Sequence, residues 1–317
     1  MAGVLVTGAA GFLGMHVAGA LLARGETVYG IDDLGPCLDP ALKRARVAEL
    51  ERRHPASFRF ARADVAKRTT ADDLAREIGP ELTGVVHLAA RRGTGPPGRL
   101  LCRRLAAQLA VLELCRERLP NLRHAVYACA EPPLAGEKEL PPAAGRADEV
   151  VALAYARLHG LPLTGLRLAT AYGPWDRPDA ELVVLADTIA AGRPVSLAGR
   201  GREPRRLVYA EDAASAVLAA LDRPPPAGES RGPPHRIVPV EYAGSVELGR
   251  LVAALGAALG QEPVIRTARE YSVGSQAPEA VGEPDAVTSE TEGRPGTPLE
   301  EGLRQFAAWY AGRGVAK

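Results

Sequence analysis

Short apolar runs alternate along the chain with stretches whose apolar residues recur at helical spacing. Val4-Leu5-Val6 is a continuous apolar run closed by Thr7-Gly8, the pattern of a short strand buried on both faces. From Phe12 to Arg24, Leu13, Val17, Ala20 and Leu21 recur at a helical period. The same reading predicts further strands at 27–31, 57–61, 83–90, 124–129 and 163–169. Between them it predicts helices at 40–53, at 70–78 with Thr70 as cap, at 100–118 and at 147–158. Strand and helix in regular alternation predict an α/β fold with a doubly wound parallel sheet.

The second half is less regular. Tyr172-Gly173-Pro174-Trp175 reads as a loop, and helices are predicted at 181–191, 210–221, 245–259 with Ser245 as cap, and from Pro298 to about Tyr310. Thr297-Pro298-Leu299-Glu300-Glu301 has a proline at the first helical position and acids in the first turn. The stretches 131–146 and 224–234 are rich in proline, and 279–295 is polar. Residues 1–170 are expected to form the main domain, with a strand returning near 206–220, and residues 171–317 a smaller, interleaved α/β domain.

Composition narrows the function classes. The 317 residues carry a net charge of +1 and no long basic block, which argues against nucleic acid as a partner. No apolar run is long enough to cross a membrane, and the first strand begins too early for a signal peptide. The four cysteines (Cys37, Cys102, Cys115 and Cys129) lack metal-ligand spacing, and Cys102 and Cys115 fall in a helical pattern as packed residues. A cytoplasmic, reduced protein is the expectation.

The candidate chemistry starts at the first turn. Gly8, Gly11 and Gly14 lie between strand and helix, where Phe12 and Leu13 open the helix. This is the context a dinucleotide-binding glycine motif needs: a tight turn, close approach to a pyrophosphate, and a helix N-terminus aimed at it. Asp32 and Asp33 end the second strand, and an acid there accepts the adenosine ribose hydroxyls and repels a 2′-phosphate. The fold is therefore read as a Rossmann sheet and the cofactor as NAD. His87, inside the fourth strand, reads as a packed histidine.

The chain closely resembles the extended short-chain dehydrogenase/reductase family, the NAD-dependent nucleotide-sugar epimerases and dehydratases, of the UDP-glucuronate 4-epimerase type. The resemblance rests on TGAAGFLG at 7–14, the DD pair, ADV at 63–65, HLAA at 87–90, GLPLTGLR at 160–167, YGPWDRPD at 172–179, RRLVYAED at 205–212 and TPLEEGL at 297–303. It implies that Asp64, Val65, Leu88, Ala89 and Ala90 join the NAD site. It also implies a UDP-sugar or other nucleoside-diphosphate sugar held by Tyr172, Arg177, Asp179 and Arg205, the last gripping the diphosphate, and a homodimer built on helices near 100–118 and 147–158.

The resemblance fails at the catalytic set. Family members oxidise the sugar at C4 with a tyrosine base in a Y-x-x-x-K motif and a neighbouring serine or threonine. None of the eight tyrosines here is followed by lysine at that spacing. The tyrosine falls on Pro141, the lysine on Gly145 and the serine or threonine on Ala130, and Arg104 replaces a helix asparagine. The segment after Ala130 is shorter than usual by about a dozen residues. Glu131, beside the lost serine, and Cys129 are the candidate replacements for acid–base work. Two functions stay open: an epimerase/dehydratase homologue acting on or binding a UDP-sugar without the standard base, or an NAD- and UDP-sugar-binding pseudoenzyme that senses a metabolite or partners an active paralogue.

Overall fold

The apolar run that opens the chain forms β1 (Gly3–Thr7), buried along its whole length. The computed structural model describes residues 3–35, 39–89, 97–130, 140–197, 201–226, 228, 232–240, 245–267 and 296–313. After β1 come α1 (Phe12–Ala23), β2 (Thr27–Asp32), α2 (Pro40–Arg53), β3 (Phe58–Arg62), α3 (Arg68–Ile78), β4 (Leu82–His87), α4 (Pro97–Arg118), β5 (His124–Ala130), α5 (Leu140–His159) and β6 (Leu163–Leu168). There follow β7 (Thr170–Tyr172), α6 (Glu181–Ala190), β8 (Val195–Leu197), β9 (Pro204–Arg205), β10 (Leu207–Tyr209), α7 (Ala210–Asp222), β11 (His235–Val240), β12 (Val246–Glu247), α8 (Leu248–Leu259), β13 (Ile265–Thr267) and α9 (Leu299–Gly312).

Seven strands make one parallel sheet in the order β11-β6-β5-β4-β1-β2-β3. The order reverses between β1 and β4, where an open α/β sheet leaves a ligand crevice at its carboxyl edge. Residues of α1, α2 and α7 build the core on one face, and those of α3, α4 and α5 build it on the other. A third core gathers α6, α8 and α9 around Tyr209 and Phe306. No helix among the described residues is long and apolar enough to cross a membrane.

The structure corrects several boundaries. Segment 206–220 does not return a strand to the main sheet. Its β10 pairs with β7, α7 packs in the core beside α1, and β11 is the strand that joins, alongside β6. Tyr172 ends β7 rather than lying in a loop. Thr70 is not a cap: α3 winds directly out of a turn closed by Lys67 N–H on Asp64 O, and its first residue is Arg68. Ser245 is not a cap either, because Val246–Glu247 pairs with β9 and Leu248 N–H is met by Glu203 O. Pro298 sits at the N-cap of α9, with Glu300 and Glu301 in the first turn, and Thr297 is tied to the carboxylate of Asp212. Helix α5 starts at Leu140, well before the predicted 147, so Pro141 and Gly145 belong to it. Proline is tolerated in a first turn because the N–H it lacks has no helical acceptor there. Cys115 is packed as expected, but Cys102 lies exposed on α4.

Candidate functional site

The carboxyl ends of β1, β2 and β4 converge on the glycine turn. Gly8 has φ +73°, and Gly8 N–H and Ala9 N–H both donate to Ile31 O, at 2.7 and 3.1 Å. A Cβ on Gly8 would stand 2.8 Å from the backbone of Leu88 and Ala89. Gly11 N–H donates to Gly8 O at 2.8 Å, and a Cβ on Gly11 would come within 2.9 Å of that oxygen. On Gly14 it would come within 2.0 Å. Each motif glycine is therefore required by space. The turn delivers α1 with Gly11 as N-cap, no capping side chain and no acid in its first turn. The N–H groups of Phe12 and Leu13 have no helical acceptor and face the crevice end of the helix.

Asp32 is buried at the end of β2, and its Oδ1 accepts from Leu34 N–H at 2.9 Å and Lys43 Nζ at 2.8 Å. Asp33 Oδ1 accepts from Gly35 N–H at 2.7 Å. Beside them lies a cleft of about 460 Å³ lined by Asp33, Gly35, Arg62, Asp64, Lys67 and Thr70, among others. Asp64 is held in a turn by Ala66 N–H, and Val65 is buried. Leu88 and Ala89 follow β4, tied to Thr7 by Leu88 N–H on Thr7 O at 3.1 Å and Ala89 N–H on Thr7 Oγ1 at 3.3 Å. Ala90 lies outside the described residues. The glycine cradle and the acid at the tip of β2 together fit a dinucleotide.

His87 is packed as the sequence suggested. Its Nδ1 lies 2.7 Å from Thr7 Oγ1, and burial lowers its pKa to about 3, so it stays neutral.

At the carboxyl ends of β5 and β6 stand two ion pairs, Arg104–Asp148 and Arg167–Glu149. Glu131 lies outside the described residues. Cys129 is 3 % exposed, and burial with the neighbouring Glu149 carboxylate pushes its thiol well up, so it is no thiolate at neutral pH. Glu149 grips Arg167 through two 2.8 Å bonds. Arg104 reaches from α4 to Asp148 Oδ2 (2.5 Å) and Ala128 O (3.2 Å). Asp148 is 2 % exposed, and its Oδ1 has no hydrogen-bond partner. Burial raises the Asp148 pKa against the pull of Arg104.

The segment after β7 is tied to α1 and the glycine turn through His16 and Arg46. Tyr172 is buried, ring to ring with Tyr209. Arg177 lies 3.5 Å from Asp179 across an exposed pair. Arg205, on β9, is held between Glu181 (2.9 Å) and Glu203 (3.1 Å). Trp175 adopts φ +69°, a left-handed conformation that costs a non-glycine residue about 1–2 kcal/mol. Its carbonyl accepts from Arg46 Nε (3.1 Å) and Nη2 (2.6 Å), and its ring meets Trp309. Sequence reasoning missed Lys43, Arg46 and Asp148. All three sit on predicted helices, and the groups they meet lie elsewhere along the chain.

Asp176 gives a pH prediction. It is 3 % exposed, and burial raises its pKa from 3.8 to about 6, against the opposing Arg177 N–H and the Arg177 and Arg46 charges. The folded protein binds this proton more tightly than the unfolded chain. Its contribution is thus fully present below about pH 4 and lost as pH rises through 6. Asp176→Asn is expected to stabilise the protein by up to about 3 kcal/mol at pH 8 and by little at pH 4. Urea denaturation at both values checks this, and equal or lower stability of the variant at pH 8 contradicts it.

Comparison with known proteins agrees with this geometry. The profile of the NAD dependent epimerase/dehydratase family matches residues 4–231, and the chain belongs to that family. Its cofactor is NAD. A probable UDP-glucuronate 4-epimerase of Rhizobium meliloti is 32% identical over 96% of both chains. The UDP-glucuronic acid 4-epimerase of Bacillus cereus in complex with NAD superposes with a TM-score of 0.78 at 20% identity, covering 98% of this chain and 99% of its own. The same enzyme with UDP-glucuronic acid and NAD gives 0.77 at 21% identity, with the same coverage.

Proposed function

We propose that the protein holds NAD in the crevice between β1 and β4 and a UDP-sugar against Tyr172, Arg177, Asp179 and Arg205, and that it lacks the tyrosine-driven oxidation of its relatives. NAD would lie with its pyrophosphate on Gly11, Phe12 and Leu13 and its adenosine ribose on Asp32 and Asp33. Bound NAD supplies a hydride acceptor. The residues above bind and orient it. The UDP-sugar half of the reading is supported by the relatives, which are named for UDP-glucuronate.

The observation that carries the inactive reading is the start of α5. By resemblance the tyrosine and lysine correspond to Pro141 and Gly145, both within this helix. Proline has no proton to exchange and glycine no charge to tune a base. Among the described residues, Cys129 stays a thiol, His87 is buried and neutral, and Asp148 and Glu149 are ion-paired. Residues 1–170 would serve chiefly NAD and 171–317 chiefly the sugar nucleotide. Leu109, Val150 and Leu158 are exposed on α4 and α5, an apolar face that supports a homodimer through these helices.

Proton NMR in deuterated water, with NAD and UDP-glucuronate, UDP-glucose or UDP-N-acetylglucosamine, tests this. The expected result is broadened nucleotide lines and unchanged sugar signals. New anomeric signals, or deuterium entering the sugar ring, would establish turnover and turn attention to Glu131. The Pro141→Tyr/Gly145→Lys double variant is also expected to remain silent, because Ala130 and the shortened segment after it persist. Robust C4 epimerisation by that variant would show that the two side chains alone were missing.

A further inference from the structure

Arg46 is a buried cation that touches both halves of the crevice. It lies on α2 and is 2 % exposed. A guanidinium taken out of water needs acceptors in its fixed fork geometry. Nη1 donates to Ala10 O at 3.0 Å, while Nε and Nη2 donate to Trp175 O. Ala10 belongs to the glycine turn. The peptide between Ala10 and Gly11 is thereby held from both sides, its oxygen by Arg46 and its N–H by Gly8 O. That peptide immediately precedes the Phe12 and Leu13 N–H groups.

On the other side, the carbonyl Arg46 grips belongs to a residue in left-handed backbone. The next residue, Asp176, is buried and accepts Arg177 N–H at 2.7 Å. The position of Arg177 thus follows from the Trp175 peptide. A second tie runs in parallel, as His16 Nε2 on α1 donates to Pro174 O at 3.0 Å.

We propose that Arg46 couples the two ligand sites: by bridging the glycine turn to the 173–177 segment, it makes occupation of the NAD site raise the affinity for the uridine nucleotide, and the reverse. Arg46 touches neither ligand and acts as a positioning residue. Coupling of this kind is reciprocal by thermodynamic necessity. A single rigid fork shared by two peptides is a physical route for it, because a shift of one carbonyl moves the other. The inference rests on the reading that both NAD and a UDP-sugar bind.

Isothermal titration of UDP, with and without saturating NAD, measures the coupling directly in the full chain. In the wild type NAD is expected to tighten UDP about 10-fold, within the usual range for coupled sites. Arg46→Met is expected to bind each ligand more weakly and to lose the factor, bringing it to about one. Arg46→Lys is expected to fall between, because an ammonium lacks the planar fork. A merely structural Arg46 would lower the melting temperature and both affinities but leave the factor unchanged, and that outcome overturns the proposal. Should Arg46→Met fail to fold, hydrogen exchange in the wild type decides. NAD is expected to slow exchange of the amides at 175–177, and no change there overturns the coupling. Failure of either ligand to bind the wild type would instead refute the functional reading, whereas binding of both with a factor of one refutes only the coupling.

Discussion

Gly14→Ala is expected to weaken NAD binding on the order of 100-fold and to cost the fold about 3 kcal/mol, while Gly19→Ala in the same helix stabilises it. A Cβ on Gly14 would stand 2.0 Å from Gly8 O and 2.8 Å from Gly8 C. These are backbone atoms of a turn whose N–H groups are already committed to Ile31 O. Neither the turn nor α1 can yield without breaking its own hydrogen bonds, so the overpacking penalty is at or above the usual 1–3 kcal/mol. The movement that relieves the clash carries the first turn of α1 away from the glycine turn, where we propose that the pyrophosphate lies. A loss on the order of 100-fold in NAD affinity corresponds to about 2.7 kcal/mol. Gly19 meets only Leu50 Cδ2 at 3.8 Å, ordinary contact. There the lower backbone entropy of alanine acts alone, worth about 0.8–1 kcal/mol in a helix. Urea denaturation and NAD titration of the two variants separate the effects. Wild-type NAD affinity in Gly14→Ala would remove the assignment of the cradle.

Arg104→Met is expected to destabilise the protein by about 3–5 kcal/mol at neutral pH, the cost of stranding one member of a buried pair. Asp148 already has one oxygen without a partner and relies on Arg104 Nε for the other. Without the guanidinium, the carboxylate faces desolvation unopposed and its pKa rises further. A folded pKa above the unfolded value means the penalty grows as pH rises through it and fades in acid. The loss should therefore be large at pH 8 and shrink towards pH 4. The Arg104→Met/Asp148→Leu double variant should recover most of the stability, because a well-packed apolar pair replaces a buried ion pair at little net cost. Denaturation of both single variants and the double variant gives the interaction energy as a double-mutant cycle. Additive losses would mean that the two residues stabilise the protein independently.

The first forty residues show where sequence reasoning is strong. The strand, the glycine turn, the helix and the acid at the tip of β2 were all legible, because the constraints act between near neighbours. A buried run, a turn needing Gly8 at φ +73° and a helical period together leave little choice. Helix starts were less legible. Thr70 and Ser245 looked like caps, yet α3 and α8 start from backbone contacts at Asp64 and Glu203. The extent of α5 was missed because Pro141 and Pro142 read as breakers, although the first turn of a helix accepts proline.

The sequence by itself determined the class of fold, the glycine turn and the acid at the tip of β2. Each is carried by residue type at short spacing. Only the tertiary structure decided that Arg46 meets Trp175, that Arg104 meets Asp148, and that β11 rather than 206–220 joins the sheet. Those partners lie far apart along the chain, and a lone arginine in a charged helix has no local signal to tell a solvated side chain from a buried one. Burial supplies the distinction: a cation removed from water must find acceptors, and only the folded chain settles which carbonyls and carboxylates are within its reach.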